Sequence, residues 1–118
     1  MIPMQQKIKL EKIAYARSGD KGSSANIGII AYAPEGYAFL KEFLTSEKVH
    51  SFFLPLQPTH TVRYELPNLG ALNFVLHNIL AGGGSRSLRI DAQGKALGQA
   101  LLQMEIEISA IKGSLLIP

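Results

Sequence analysis

Apolar and polar residues alternate near the start of the chain, which is the pattern of a β-strand with one buried face. Ile8 and Leu10 share one side of the segment 7–16, and a polar segment with two glycines follows at 17–24. The next run, 25–33, is almost wholly apolar and rich in isoleucine, and β-branched residues favour a strand. The chain is therefore expected to begin with two strands joined by a polar loop.

The apolar spacing becomes helical in the middle of the chain. Pro34 suits the first turn of a helix, and the apolar residues after it recur three and four positions apart. Thr45 is placed to cap a second helix, which Pro55 and Pro58 would end. Two consecutive helices are therefore expected after the first two strands.

The second half of the chain predicts a strand, a helix, a strand and a helix. Residues 61–66 alternate as a strand that Pro67 ends, and Asn68 is a suitable N-cap for a helix over 69–80. The core stripe of that helix would consist of Leu69, Leu72, Val75, Leu76 and Ile79. The triple glycine 82–84 would end it, 85–91 would form a strand, and 95–104 a last amphipathic helix. Met104, Ile106 and Ile108 also suit a short final strand.

This order of elements predicts an α+β fold. The 118 residues are 47% hydrophobic and 18% charged, and they show no repeat, linker or internal boundary, so one domain over 1–118 is expected. Helices on one face of a mostly antiparallel sheet bury the apolar faces of both layers. We therefore expect a two-layer, ferredoxin-like sandwich with about four strands and with the helices packed on one face.

Composition excludes several classes of function. The chain has no cysteine, so it contains no disulfide, thiolate metal site or cysteine nucleophile. Three scattered histidines lack the spacing of metal ligands, and neither a metal nor another cofactor is expected. The net charge of +3 is spread along the chain, without the clustered basic face of a nucleic-acid-binding protein. There is no apolar signal core and no apolar run that could span a membrane, so we expect a cytoplasmic protein.

The segment 17–26 is the first candidate for chemistry. Arg17 and Lys21 supply positive charge, and the two glycines permit tight turns that expose backbone N–H groups, which together could hold a phosphate or a carboxylate. The segment does not match the phosphate-binding P-loop. The alternative is a polar hairpin turn in which Asp20 and Asn26 cap backbone amides.

A second candidate lies in the predicted helix 69–80. Asn73 and His77 are four positions apart and would face the same way, either as a hydrogen-bonded structural pair or as the lining of a pocket. The glycines at 82–84 come after a helix and before a strand, which favours a helix end and a turn over a phosphate site. A contact from Ser85 or Arg86 to a ligand or to a partner protein is the alternative.

Three stretches of the chain resemble the AtuA-like ferredoxin-fold domain. They are ARSGDKGSSANIG at 16–28, RYELPNLGALNFVLH at 63–77 and SLRIDAQGKALGQAL at 87–101. The resemblance covers roughly residues 8 to 106, so 107–118 would be a C-terminal extension. Such domains occur at the C-terminus of acyclic terpene utilisation AtuA-type proteins, and also as a short chain that accompanies a larger one.

The resemblance implies a place in the catabolism of branched or terpenoid acids, where intermediates travel as acyl-CoA thioesters. We therefore expect a small accessory subunit or ligand-binding module, assembled with itself or with a larger AtuA-type chain. The alternative is an enzyme that acts on an acyl-CoA or a small carboxylate, with an anion-binding loop at 17–26 and with Asp20 or His77 as acid or base. The motif positions are candidates for a ligand site or an interface without assigned catalytic roles: Arg17, Ser18, Asp20, Lys21, Asn26, Asn68, Asn73 and His77.

Overall fold

The computed structural model describes residues 7–21, 23–79 and 97–107. In chain order its elements are β1 (Lys7–Lys9), β2 (Ala14–Lys21), β3 (Ser24–Ala31), α1 (Pro34–Phe43), α2 (Ser46–Phe52), β4 (His60–Leu66), β5 (Ala71–His77), the helical residues 97–101 (α3) and β6 (Glu105–Glu107). Short 3-10 turns lie at Leu10–Lys12, Leu54–Leu56 and Pro67–Leu69. No helix in these ranges is long and apolar enough to cross a membrane.

The described strands form two antiparallel sheets. The main sheet has the order β2-β3-β5-β4, and β1 pairs with β6 in a smaller one. Because β3 and β4 both run antiparallel to β5, they run parallel to each other. The helices α1 and α2 connect β3 to β4, and β5 lies between these two strands in the sheet. This is the split βαβ connection of ferredoxin-like folds. The expected α+β class and ferredoxin-like sandwich are therefore confirmed.

The core lies between the main sheet and the helices. Alternate residues of β3 and β5 are fully buried on this inner face: Ala25, Ile27, Ile29, Leu72, Phe74 and Leu76. Apolar residues from the helices join the same cluster: Leu40, Leu44, Val49, Phe53, Leu97 and Leu101. Within the described residues, the helices thus cover one face of the sheet, and the opposite face is here called the outer face.

The helix predicted over 69–80 is wrong, because residues 71–77 form the strand β5 between β3 and β4. The burial of β5 alternates with a period of two after its first residue, so Phe74 is buried whereas Val75 is only partly buried. Asn68 caps no helix; it lies in the turn Pro67–Leu69, which ends at Gly70 with a positive φ of 60°. This turn connects β4 to β5 as an antiparallel pair.

The polar loop predicted over 17–24 is also wrong in its extent. β2 continues to Lys21 and β3 begins at Ser24, so only residues 22 and 23 join the two strands. The segment 7–16 is not one strand, because the turn Leu10–Lys12 separates β1 from β2. The predictions for 82–84, for 85–91 and for the tail after 107 lie outside the described residues.

Two local signals were interpreted correctly. Pro34 begins α1, and Thr45 caps α2 by accepting a hydrogen bond from the backbone N–H of Lys48 at 3.1 Å. The helical residues 97–101 and the strand Glu105–Glu107 agree with the amphipathic helix and short final strand expected near the C-terminus.

The C-terminal end of α1 is held by a side chain from the sheet. Arg63 of β4 donates hydrogen bonds from Nη1 to the carbonyl oxygens of Lys41 and Leu44, at 2.9 and 3.1 Å. Its Nη2 also donates to Glu65 at 2.8 Å. A positive charge beside the last carbonyls of a helix is favourable because those carbonyls lack partners within the helix.

Arg63→Met should therefore lower the free energy of unfolding by about 2 kcal/mol, the scale of hydrogen bonds made by a charged group. Arg63→Lys should recover only part of this loss, because an ammonium group lacks the planar fork that reaches both carbonyls and Glu65. Urea unfolding followed by circular dichroism measures both changes.

The control is Glu65→Gln. It removes only a partly exposed ion pair, so the free energy of unfolding should change by less than about 1 kcal/mol. If Glu65→Gln destabilised the domain as much as Arg63→Met, the ion pair rather than the helix end would be the important contact of Arg63.

Candidate binding site on the outer face of the sheet

The antiparallel register arranges the outer face in rows that cross all four strands of the main sheet. The first, which we call the apolar row, consists of Tyr15, Ile30, Ala71 and Leu66. The second, the polar row, consists of Arg17, Gly28, Asn73 and Tyr64. The third consists of Gly19, Asn26, Val75 and Val62. Successive rows are about 6.7 Å apart, since each is two residues further along the strands.

A hollow of about 500 Å³ lies on this face. It is lined by Tyr15, Arg17, Ser18, Gly19, Asn26, Gly28, Ile30, Leu66, Leu69, Ala71 and Asn73. Among them, Gly28 lies between Arg17 on one neighbouring strand and Asn73 on the other. The missing side chain at Gly28 leaves room between these two polar groups, because a Cβ there would come within 3.8 Å of Asn73 Oδ1.

Three of the lining residues near Gly28 have polar side chains: Arg17, Asn26 and Asn73. Within the described part of the chain, none of the three makes a side-chain hydrogen bond or an ion pair. Arg17 is exposed, and the two asparagines are partly buried. Together they present a guanidinium group and two amides, which can donate and accept hydrogen bonds, to whatever occupies the hollow.

Apolar side chains border the hollow on one side. Leu66 is 39% exposed and Leu69 is 67% exposed, although both are large hydrophobic residues. Tyr15 is 41% exposed, and its ring lies 5.5 Å from that of Tyr32. Exposed apolar residues gathered around a concave surface mark a place where a ligand or a partner can remove them from water.

The structure brings four of the eight residues predicted from the sequence to this hollow, namely Arg17, Ser18, Asn26 and Asn73. Ser18 pairs with the inner-face residue Ile27, so its side chain lies on the inner face, where its hydroxyl accepts a hydrogen bond from the backbone N–H of Gly98 at 3.1 Å and attaches α3 to β2. Asp20 and Lys21 pair with Ala25 and Ser24 through the β2–β3 ladder, and their side chains lie outside the described part of the structure. Asn68 is exposed in the turn after β4 and does not line the hollow.

His77 lies away from the hollow. It faces the same side of β5 as Asn73, but four residues of strand separate them by about 13 Å. Its ring stacks on that of His60 from β4, with centroids 4.1 Å apart and planes inclined by 12°. The described residues contain no group of three or more side chains able to hold a metal ion.

The apolar part of the site, in particular Tyr15, Leu66 and Leu69, was not predicted from the sequence. A signal for it was present in the segment 62–76. Two alternating stretches flank Pro67-Asn68-Leu69-Gly70, which is the composition of a hairpin connection. Treating this segment as a hairpin places Tyr64, Leu66 and Asn73 on one face of a sheet.

The family comparison agrees with this arrangement of strands and helices. The family model of the AtuA ferredoxin-like domain matches residues 8–107. Comparison with curated proteins gives no match, and neither does comparison with solved structures. Because the matched region covers most of the 118 residues, the chain belongs to the AtuA ferredoxin-like domain family.

Proposed function

We propose that this domain is an accessory binding module that works through the outer face of its main sheet. The observation that supports the proposal is the hollow, where exposed apolar side chains lie beside three polar side chains that have no partner in the described structure. Exposed leucines favour an occupant that removes them from water, and the polar side chains beside them can hydrogen-bond to the same occupant. A module of this kind binds a ligand or a partner protein and does not catalyse a reaction.

The biological setting is also part of the proposal. Membership of the AtuA ferredoxin-like family supports a place beside a larger AtuA-type chain, in the cytoplasmic breakdown of branched or terpenoid acids carried as acyl-CoA thioesters. Association with that larger chain, or with a second copy of this one, would bury exposed side chains of the outer face.

The test is a titration of the isotope-labelled chain, followed through its backbone amide signals by nuclear magnetic resonance. The titrants are a purified larger AtuA-type chain and a panel of CoA, acyl-CoAs and carboxylates. We expect signals from the apolar and polar rows to change first. Leu69→Ser should weaken binding about fivefold or more, the effect of removing a side chain that contributes over about 1 kcal/mol to an interface.

A matched control is Leu54→Ser. Leu54 is 56% exposed, similar to Leu69 at 67%, but it lies in the turn before β4 and does not line the hollow. It should bind as the unmodified chain does. Signal changes confined to the helices, or equal losses in the two variants, would refute the outer face as the binding surface.

A further inference from the structure

We infer that the hollow on the outer face binds an organic monocarboxylate with a short apolar tail. The carboxylate pairs with Arg17 in the polar row, and the tail lies over the apolar row. This assignment rests on the proposed function, because it names the class of molecule that the binding face takes.

The charge of the hollow complements one anion. Arg17 is the cation among its described lining residues, and no aspartate or glutamate belongs to that set. A guanidinium group matches a carboxylate geometrically, since two parallel N–H groups reach both oxygens. One cation suits one carboxylate better than it suits the several phosphate charges of CoA.

The two asparagines supply the remaining polar contacts. Asn73 is beside Gly28 across the β3–β5 ladder, and Asn26 is two residues from Gly28 along β3. The two amides and the guanidinium group therefore belong to residues of the same face, in the row of Gly28 and in the row next to it. An amide N–H from either asparagine can donate to a carboxylate oxygen that Arg17 leaves partly unsatisfied.

The apolar row receives the tail. Ile30, Ala71 and Leu66 lie one row from Arg17, and Leu69 extends the same apolar surface. The polar row and the apolar row are about 6.7 Å apart, so a tail of roughly five carbon atoms can reach from a carboxylate at Arg17 to the apolar row. The hollow of about 500 Å³ lies within the range of roughly 300–1,000 Å³ found for pockets that hold small organic molecules.

The experiment compares 4-methylpentanoate with three relatives: 4-methylpentanol, which has the tail without the charge, acetate, which has the charge without the tail, and CoA. Binding to the full chain is followed by the same amide signals. We expect 4-methylpentanoate to bind at the apolar and polar rows. The alcohol should bind about ten- to hundredfold more weakly, because the charged hydrogen bonds to Arg17 are lost.

Two variants localise the site. Arg17→Met keeps an unbranched apolar stem like that of arginine, removes the charged guanidinium group and should lower the affinity for 4-methylpentanoate by about the same ten- to hundredfold. Lys12→Met removes one charge from the exposed turn after β1 and should leave the affinity unchanged. Circular dichroism checks that both variants are folded, and the comparison of acid with alcohol needs no variant.

The outcomes separate this inference from the proposed function. Equal affinity for the acid and the alcohol, or an unchanged affinity in Arg17→Met, would overturn the carboxylate assignment. If only CoA or the larger AtuA-type chain changes the signals of the outer face, this inference fails and the proposed function stands. If no titrant changes those signals, both fail.

Discussion

Phe74→Ala should lower the free energy of unfolding by about 3–5 kcal/mol, the cost usually found when a buried phenylalanine is truncated. Phe74 is fully buried on the inner face of β5, where it pairs with Ile27 of β3 and with Arg63 of β4. Strands on both sides hold the backbone of β5 in place. The neighbouring side chains therefore cannot close the cavity, and most of the lost contacts stay lost.

The matched variant is Val75→Ala, one position along the chain. Val75 belongs to the core stripe of the helix expected from the sequence, whereas Phe74 does not. In the strand, Val75 faces outward and is only partly buried, so its truncation should cost clearly less than that of Phe74. Urea unfolding measures the free energy of unfolding of both variants. If the dependence of that free energy on urea concentration is unchanged, the shift of the transition midpoint gives the loss of stability. A larger loss in Val75→Ala would contradict the strand β5 and its register.

Gly98→Leu should destabilise the domain by about 3 kcal/mol, near the upper end of the usual cost of overpacking. A Cβ at this position would lie 3.0 Å from the Cβ of Ala16 and 3.1 Å from the hydroxyl oxygen of Ser18. The backbone of α3 thus approaches β2 directly, and the backbone N–H of Gly98 donates a hydrogen bond to the Ser18 hydroxyl oxygen. A leucine would force α3 away from the sheet and expose part of Leu97 and Leu101, which are now buried.

Ala100→Leu is the control for Gly98→Leu. It adds the same kind of side chain to the exposed side of α3, where the free energy of unfolding should change by less than about 0.5 kcal/mol. Thermal or urea unfolding distinguishes the two variants. Similar stabilities would mean that the close approach of α3 to β2 contributes little to the fold.

The candidate site was predicted in part from single residues and short motifs. Arg17 was chosen as a cation in a segment with two glycines, Asn73 as the partner of His77, and Asn26 as a motif position of the family resemblance, and all three line one hollow. Their convergence depends on the register of β2, β3 and β5, which pairs Arg17 and Asn73 with the same glycine. This register brings Arg17 close to Asn73, which is more than fifty positions away in the chain. A local sequence pattern does not show which distant strands pair or in which register.

Asn73 and His77 illustrate how a correct detail can accompany a wrong element. Residues four positions apart face the same side in a helix and in a strand alike, so their common orientation was predictable. Their separation was not, since four residues rise about 6 Å in a helix and about 13 Å in a strand. The longer rise takes His77 away from the hollow and brings it to His60.

The sequence by itself determined the elements whose signals are local. Pro34 and Thr45 begin the two helices because a fixed φ and a capping hydroxyl act within one turn. The isoleucine-rich run forms β3 because β-branched residues suit a strand buried on its inner face.

Only the tertiary structure decided between helix and strand for residues 71–77. Leu72, Val75, Leu76 and Ile79 fit a helical stripe, whereas Leu72, Phe74 and Leu76 fit one face of a strand. Intrinsic preferences differ by less than about 1 kcal/mol per residue, too little to settle such a segment. Pairing with β3 on one side and β4 on the other supplies ladder hydrogen bonds along the segment and buries Phe74. Those contacts come from residues distant in the chain, so this segment becomes a strand only when the sheet assembles around it.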